Sequence, residues 1–168
     1  MSLAQGAAGG RHLATSVAMA DSESAHLARN AAELERLRTA GSRLLAGDLP
    51  AHLGGGWAPP AVFAHLAFWD RLVLARWDLY DRDGAIETLP DTHTDLVNAA
   101  GLPLWLALPP EAAVAEAIEA AGEVVERIAA LGPAAVEAAL TTSRRAMLDR
   151  TFHWTPHLDE LAGVPPPR

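Results

Sequence analysis

Cysteine is absent from the 168 residues, which excludes disulfides, thiolate metal sites and a cysteine nucleophile. Lysine is absent as well, since all 13 basic residues are arginine. Schiff-base chemistry and a lysine-closed phosphate loop are therefore excluded. No apolar run reaches the roughly 18 residues needed to cross a bilayer. Nor does any segment alternate with the period of a strand. Positive charge is also in deficit: 21 acidic residues set against 13 basic ones leave a net charge of −8. Such a chain repels a phosphate backbone, and no arginine cluster compensates, so nucleic acid is not an expected partner. What is there is alanine, with an apolar fraction of 50% and a charged fraction of 20%. That is the composition of one globular, helical domain.

Residues 1–21 read as a flexible N-terminal extension. Ala18-Met19-Ala20 imitates a signal-peptidase site, but the apolar stretch before it is too short for secretion, and a cytoplasmic location is expected. Met19 is an alternative natural start, which leaves open whether residues 1–18 are native. The ordered domain is expected over residues 22–163, and residues 164–168 form a proline-rich tail that cannot continue a helix.

Four long helical patterns fill the domain. The first runs from an N-cap at Ser22 to about Ala46, with Leu27, Leu34, Leu37 and Leu44 at helical spacing. The second opens at Pro59-Pro60, where proline suits a first turn, and runs to about Asp83. Its stripe is Val62, Leu66, Trp69, Val73, Trp77 and Tyr80. An irregular segment follows, with one short helix near Asp95 to Leu106. The third long helix opens at Pro109-Pro110-Glu111 and carries Val114, Ile118, Ala121, Val125 and Ile128. Gly132-Pro133 ends it. The fourth starts near Thr141 or Thr142, carries Met147, Thr151, Trp154, Leu158 and Leu161, and closes at Gly163. The expected architecture is all-α: an antiparallel four-helix bundle with a long connection between helices 2 and 3.

Seven histidines invite a search for a cluster. His12, His26, His52 and His93 fall in the extension, at helix starts or in loops, and read as solvated. His153 and His157 stand four apart on one helix, so both imidazoles project from one face and can share a metal ion. His65 lies on the core side of the second helix, where an antiparallel partner could bring it to the other two. Three imidazoles with open coordination positions make a catalytic rather than a structural arrangement. Incidental spacing and a satisfied core histidine are the alternatives. Pro156, between the paired histidines, removes a backbone donor and should kink or loosen that turn.

At these residues the chain resembles the DinB-like superfamily, which includes bacillithiol transferases and the N-terminal domain of mycothiol-dependent maleylpyruvate isomerases. The segment Trp57-Ala-Pro-Pro-Ala-Val-Phe-Ala-His65-Leu-Ala-Phe-Trp69-Asp70 is similar to the entry into that family's second helix. Asp95-Leu-Val-Asn98 resembles its polar element, and His153-Trp-Thr-Pro-His157-Leu-Asp-Glu-Leu161 its last-helix histidine pair. The resemblance covers about residues 22–163. It implies a bundle in which His65, His153 and His157 hold a divalent ion, with zinc, nickel, iron and manganese all acceptable to imidazoles plus water. It further implies a low-molecular-weight thiol as cosubstrate, bound as thiolate and so prepared to attack a small electrophile. The all-arginine, alanine-rich composition favours mycothiol or a related thiol. Maleylpyruvate isomerisation is not expected, because the second domain of those isomerases is missing.

Around the histidines, Asp70, Asp159 and Glu160 read either as carboxylates that orient a ligand imidazole or as surface charges on helices. Asn98 either lines the pocket or caps the short helix. Trp57, Trp69 and Trp154 either stack on a substrate or fill the core. Arg144, Arg145 and Arg150 either bind a thiol carboxylate or form a solvated face. The acidic run Glu111, Glu116, Glu119 and Glu123 is a solvated face rather than a di-iron site, which would need Glu-x-x-His pairs. No catalytic residue is assigned. Two readings follow: a metal-dependent transferase or hydrolase acting on a small electrophile, and a non-catalytic bundle that binds a small molecule, as in self-protection. A homodimer through exposed apolar helix faces is compatible with both.

Overall fold

The structure, a computed structural model, describes residues 7–164 except 88–89, 91 and 143, and side chains from residue 25 onward. Among the described residues the chain is all-helical. Six α-helices follow one another: α1 (Ala7–Leu45), α2 (Pro59–Asp83), α3 (Thr92–Leu106), α4 (Pro110–Ala129), α5 (Pro133–Thr141) and α6 (Thr151–Ala162). No strand occurs among these residues, and no helix is long and apolar enough to cross a membrane.

Proline punctuation sets half of the starts. α2, α4 and α5 each carry proline in their first positions, preceded by extended or polyproline-like backbone at Ala58, Pro109 and Gly132. There the missing N–H is one the helix would leave unpaired anyway. α2 ends at Gly84 and α6 at Gly163, both left-handed caps with φ of 70° and 74°.

Two boundaries differ from the sequence-based expectation. α1 is helical from Ala7 rather than from Ser22, because extending a helix that already exists needs no new nucleus. The fourth expected helix does not start near Thr141; α6 begins at Thr151, and the preceding stretch is α5 and a 3-10 turn at Arg145–Met147. Gly132-Pro133, read as a stop, is also a start. Thr141 and Thr142 donate back to the carbonyls of Glu137 and Ala138, a local bond that competes with helix continuation.

α2 packs most extensively against α4, and α1 packs against α4 and α6. α3 lies on α2, which also touches α6. Because α4 faces both α1 and α2, its buried band is wider than a single stripe. Ala113, Val114, Ala117, Ala120, Ala121, Val124 and Ile128 are buried, with Ile118 and Val125 at the margin. The acidic face of α4 is exposed, and Glu116, Glu119 and Glu123 gather around Arg71 of α2. Residues 165–168 of the expected tail and side chains before residue 25, His12 included, lie outside the described residues.

Candidate metal centre and cavity

Ala58, in extended backbone before Pro59 and Pro60, sets where α2 begins and so where His65 points. Upstream, the Gly54–Gly56 turn places Gly55 and Gly56 at φ of 67° and 83°, a region that favours glycine. The turn closes through Leu53 N–H donating to the Trp57 carbonyl at 2.9 Å. Trp57 thereby stands edge-on to the His65 ring, with centroids 5.3 Å apart. Trp105 of α3 is also edge-on to His65, at 5.1 Å, and lies 5.8 Å from the Trp57 ring. Trp105 folds back over its own helix at Gly101, where an added Cβ would lie 2.5 Å from the indole.

The paired histidines come from α6, whose entry is held by side chains of α1. Asn30, fully buried, donates to the Leu148 carbonyl at 2.7 Å and accepts from the Arg150 N–H at 2.8 Å. Asp149 accepts from the Thr151 N–H at 3.2 Å and is bonded by Arg29. It therefore caps the first turn of α6. The helix continues through Pro156 without a break, so the expected loosening does not separate the pair. His153 and His157 stand 5.2 Å apart by ring centroid, and His65 lies 5.0 Å and 4.7 Å from them. One ring nitrogen from each of His65, His153 and His157 lies within 4.8 Å of the others. This cluster of imidazoles could hold a metal ion.

Burial disfavours the charged imidazolium throughout. It lowers the His65 pKa to about 3, with the neighbouring His157 adding to the effect. His153 is held well below its ordinary value by burial, then by Arg150, His65 and His157. Burial also lowers His157. All three are therefore neutral donors at pH 7, the form that ligates a metal.

A buried polar chain runs into the cluster. Asp70 is 0% exposed and Arg150 3%. Arg150 donates through Nε to Asp70 Oδ1 at 2.9 Å and through Nη1 to the Ala146 carbonyl at 2.8 Å. The Trp154 indole N–H donates to Asp70 Oδ2 at 3.0 Å. Burial raises the Asp70 pKa, and Arg150 acts against that rise. Arg150 Nη2 also lies 3.2 Å from His153 Nδ1. A guanidinium only donates, so Nδ1 of His153 accepts and its proton sits on Nε2. That Nε2–H points at His65 Nε2, 3.0 Å away. The His65 proton is then on Nδ1, which is buried without a partner.

The donor set fits a divalent ion with an adjustment. Two imidazoles on one tetrahedral ion sit about 3.3 Å apart, given metal–nitrogen bonds of about 2.0–2.1 Å. The proton on His153 Nε2 would have to shift to Nδ1, and Arg150 would then have to give up its contact there. Arg150 is the unusual element, because a metal-ligating histidine ordinarily gives its other N–H to an acceptor.

The three histidines lie on the wall of a cavity of about 640 Å³. Trp57, Trp69, Asn98 and Glu160 line it too. Asn98 accepts from the Trp69 indole at 3.1 Å, tying α3 to α2, and sits inside α3 rather than at its cap. Trp154 is core, fully buried. Asp70 is no surface charge, and its partners are Arg150 and Trp154 rather than an imidazole. Asp159 bonds Arg36 on the helix surface. Arg150 is buried, not part of a solvated face, and Arg144 lines the cavity, while Arg145 is exposed. His52 and His93 are exposed as expected, but His26 is buried. Asn30, Asp149 and Arg76 were not marked by sequence. Only Asn30 carried a signal, as a polar residue on the apolar side of α1.

No family model matches the chain, and no curated protein or solved structure matches it significantly.

Proposed function

We propose that the chain is a metal-dependent enzyme of the DinB-like kind, an antiparallel four-helix bundle in which α1, α2, α4 and α6 are the bundle helices. His65, His153 and His157 would hold the divalent ion. What carries the reading is three neutral imidazoles from two helices converging on the wall of a cavity large enough for a small molecule. Zinc, nickel, iron and manganese all suit such donors. The ion would supply Lewis acidity that lowers the pKa of a thiol or water brought beside it. With no cysteine in the chain, a thiol nucleophile has to come from outside, and mycothiol or a related thiol fits that need. Trp57 and Trp105 exclude water from one side of His65. Asp70 and Arg150 fix the position of the His153 ring, and the cavity receives the small electrophile.

A second reading rests on Arg150. Its donor at His153 Nδ1 and the direct His153–His65 hydrogen bond suit a metal-free cluster in a non-catalytic small-molecule-binding protein. Metal content by inductively coupled plasma mass spectrometry separates the two. Tag-free protein purified without chelator is expected to carry near-stoichiometric metal, lost in a His153→Ala/His157→Ala variant. No metal in either sample, and no uptake on adding zinc or nickel, would leave the binding reading.

A further inference from the structure

Along α2, Val62, His65, Trp69, Val73 and Arg76 recur at steps of three and four residues, and all five line the cavity. His65 and Arg76 are three helical turns apart, about 16 Å along the axis at ~1.5 Å per residue. Between the two, Trp69, Val73 and Met147 make the wall apolar.

Arg76 differs from the arginines that have found a carboxylate in the fold. Arg29, Arg36, Arg71, Arg127 and Arg150 each hold a carboxylate. Among the described residues, no hydrogen bond or ion pair involves Arg76, although it is half-buried. Its nearest electrostatic company is mostly of its own sign. Burial, then Arg144 and Arg150, hold its pKa below the ordinary value, and Glu87, exposed, acts weakly the other way. In a chain of net charge −8, the cavity wall carries Arg76, Arg144 and Arg150 against the single carboxylate of Glu160. Asp70 already engages Arg150. A half-buried guanidinium without an anion is costly unless a ligand supplies one.

We propose that the cavity end remote from the histidines is a subsite for the carboxylate of an elongated small molecule with an apolar body, gripped by Arg76. The planar guanidinium fork suits a bidentate carboxylate, and the indole and aliphatic wall takes the body of the molecule. This deepens the proposed function by naming the ligand class, and it rests on that reading only for what happens at the histidine end.

The test is calorimetric titration of chelator-stripped protein with 4-phenylbutyrate and with the neutral 4-phenylbutyramide. The acid is expected to bind at least ten-fold more tightly than the amide. Arg76→Gln should abolish that preference while leaving amide binding, which also reports that the variant is folded. Arg145→Gln, altering an exposed neighbour outside the cavity, should leave the preference intact. Equal affinities, binding of neither compound, or a preference that survives Arg76→Gln would overturn the subsite. Uptake of added zinc or nickel by the same stripped samples keeps the two readings separate. Acid preference without metal uptake sinks the metal centre alone, and metal uptake without acid preference sinks the subsite alone.

Discussion

The two sides of α2 are built on opposite plans. Toward α4 and α1 it meets small apolar residues: Ala113, Ala117, Ala120, Ala121 and Val124 of α4 are all 0% exposed. Toward α6 it meets Asp70's partners Arg150 and Trp154, the imidazole cluster and the cavity. None of the cavity-lining residues comes from α1 or α4. One helix thus supplies a methyl-packed contact that fixes its position and a polar, open face that holds the chemistry. Close packing on the first side lets the second keep unfilled volume, buried charge and three uncharged histidines without collapsing.

The largest way to break this division is through the buried ion pair. Asp70→Ala would leave the Arg150 guanidinium buried and uncompensated. Removing one partner of such a pair typically costs about 3–5 kcal/mol, which urea unfolding would register. An Asp70→Leu/Arg150→Met double variant, close to the pair in volume, should recover much of that loss, because neither charge then remains. A single variant as stable as the parent would mean that water reaches Arg150 and the open side is not dry.

Acid should act on the same side. The His65 pKa falls to about 3 in the fold, while an unfolded imidazole titrates near 6.5. Between those values the unfolded chain takes a proton that the folded one refuses, so stability rises with pH across that window. The contribution is whole above about pH 6.5 and is lost as the pH falls toward 3, with His153 and His157 shifted in the same direction. Metal-free protein should therefore lose a few kcal/mol between pH 6.5 and pH 4, read by thermal unfolding. His65→Phe should flatten that slope. An unchanged slope would place the acid sensitivity in His153, His157 or the carboxylates instead.

The methyl-packed side was more legible in the sequence than the polar one, for a physical reason. Periodicity reports apolar burial, so it marks Leu34, Leu37, Val114, Ala121 and Ile128, all of them buried. Proline and glycine punctuation placed α2 and α4 to within a residue or two. The three histidines could be named because two share a helix face and the third lies on a core stripe. What holds them could not be read, because it is made of contacts across the chain. Asn30 reaches Leu148 and Arg150 across more than a hundred residues, and Asp70 finds Arg150 eighty residues away. No local pattern announces such a partner. Nothing in the sequence sets Arg76 apart, whereas in the fold it lines the cavity.

The finest test of the comparison adds one methyl to each side. Gly41 of α1 sits where a Cβ would lie 2.8 Å from Val114 Cγ1, with Ile118 and Phe63 at 3.6 Å. Val114 is β-branched and buried, so it cannot swing away, and Gly41→Ala should cost about 1–3 kcal/mol as overpacking does. Metal and ligand binding should stay as they were, because α1 and α4 do not line the cavity. Gly101→Ala meets the Trp105 indole instead, at 2.5 Å. There ring atoms of a buried indole lie 2.5–2.8 Å from the added Cβ, so the ring has to shift as a whole. The displaced ring would no longer cover His65, which should change its environment and raise its pKa by admitting water, readable by histidine proton chemical shifts against pH. If Gly41→Ala altered the imidazole titration as much as Gly101→Ala did, the two sides of α2 would be one mechanical unit. If only Gly101→Ala did so, the close-packed α1–α4 contact is the frame and the α3–α6 side the adjustable face on which the site is built.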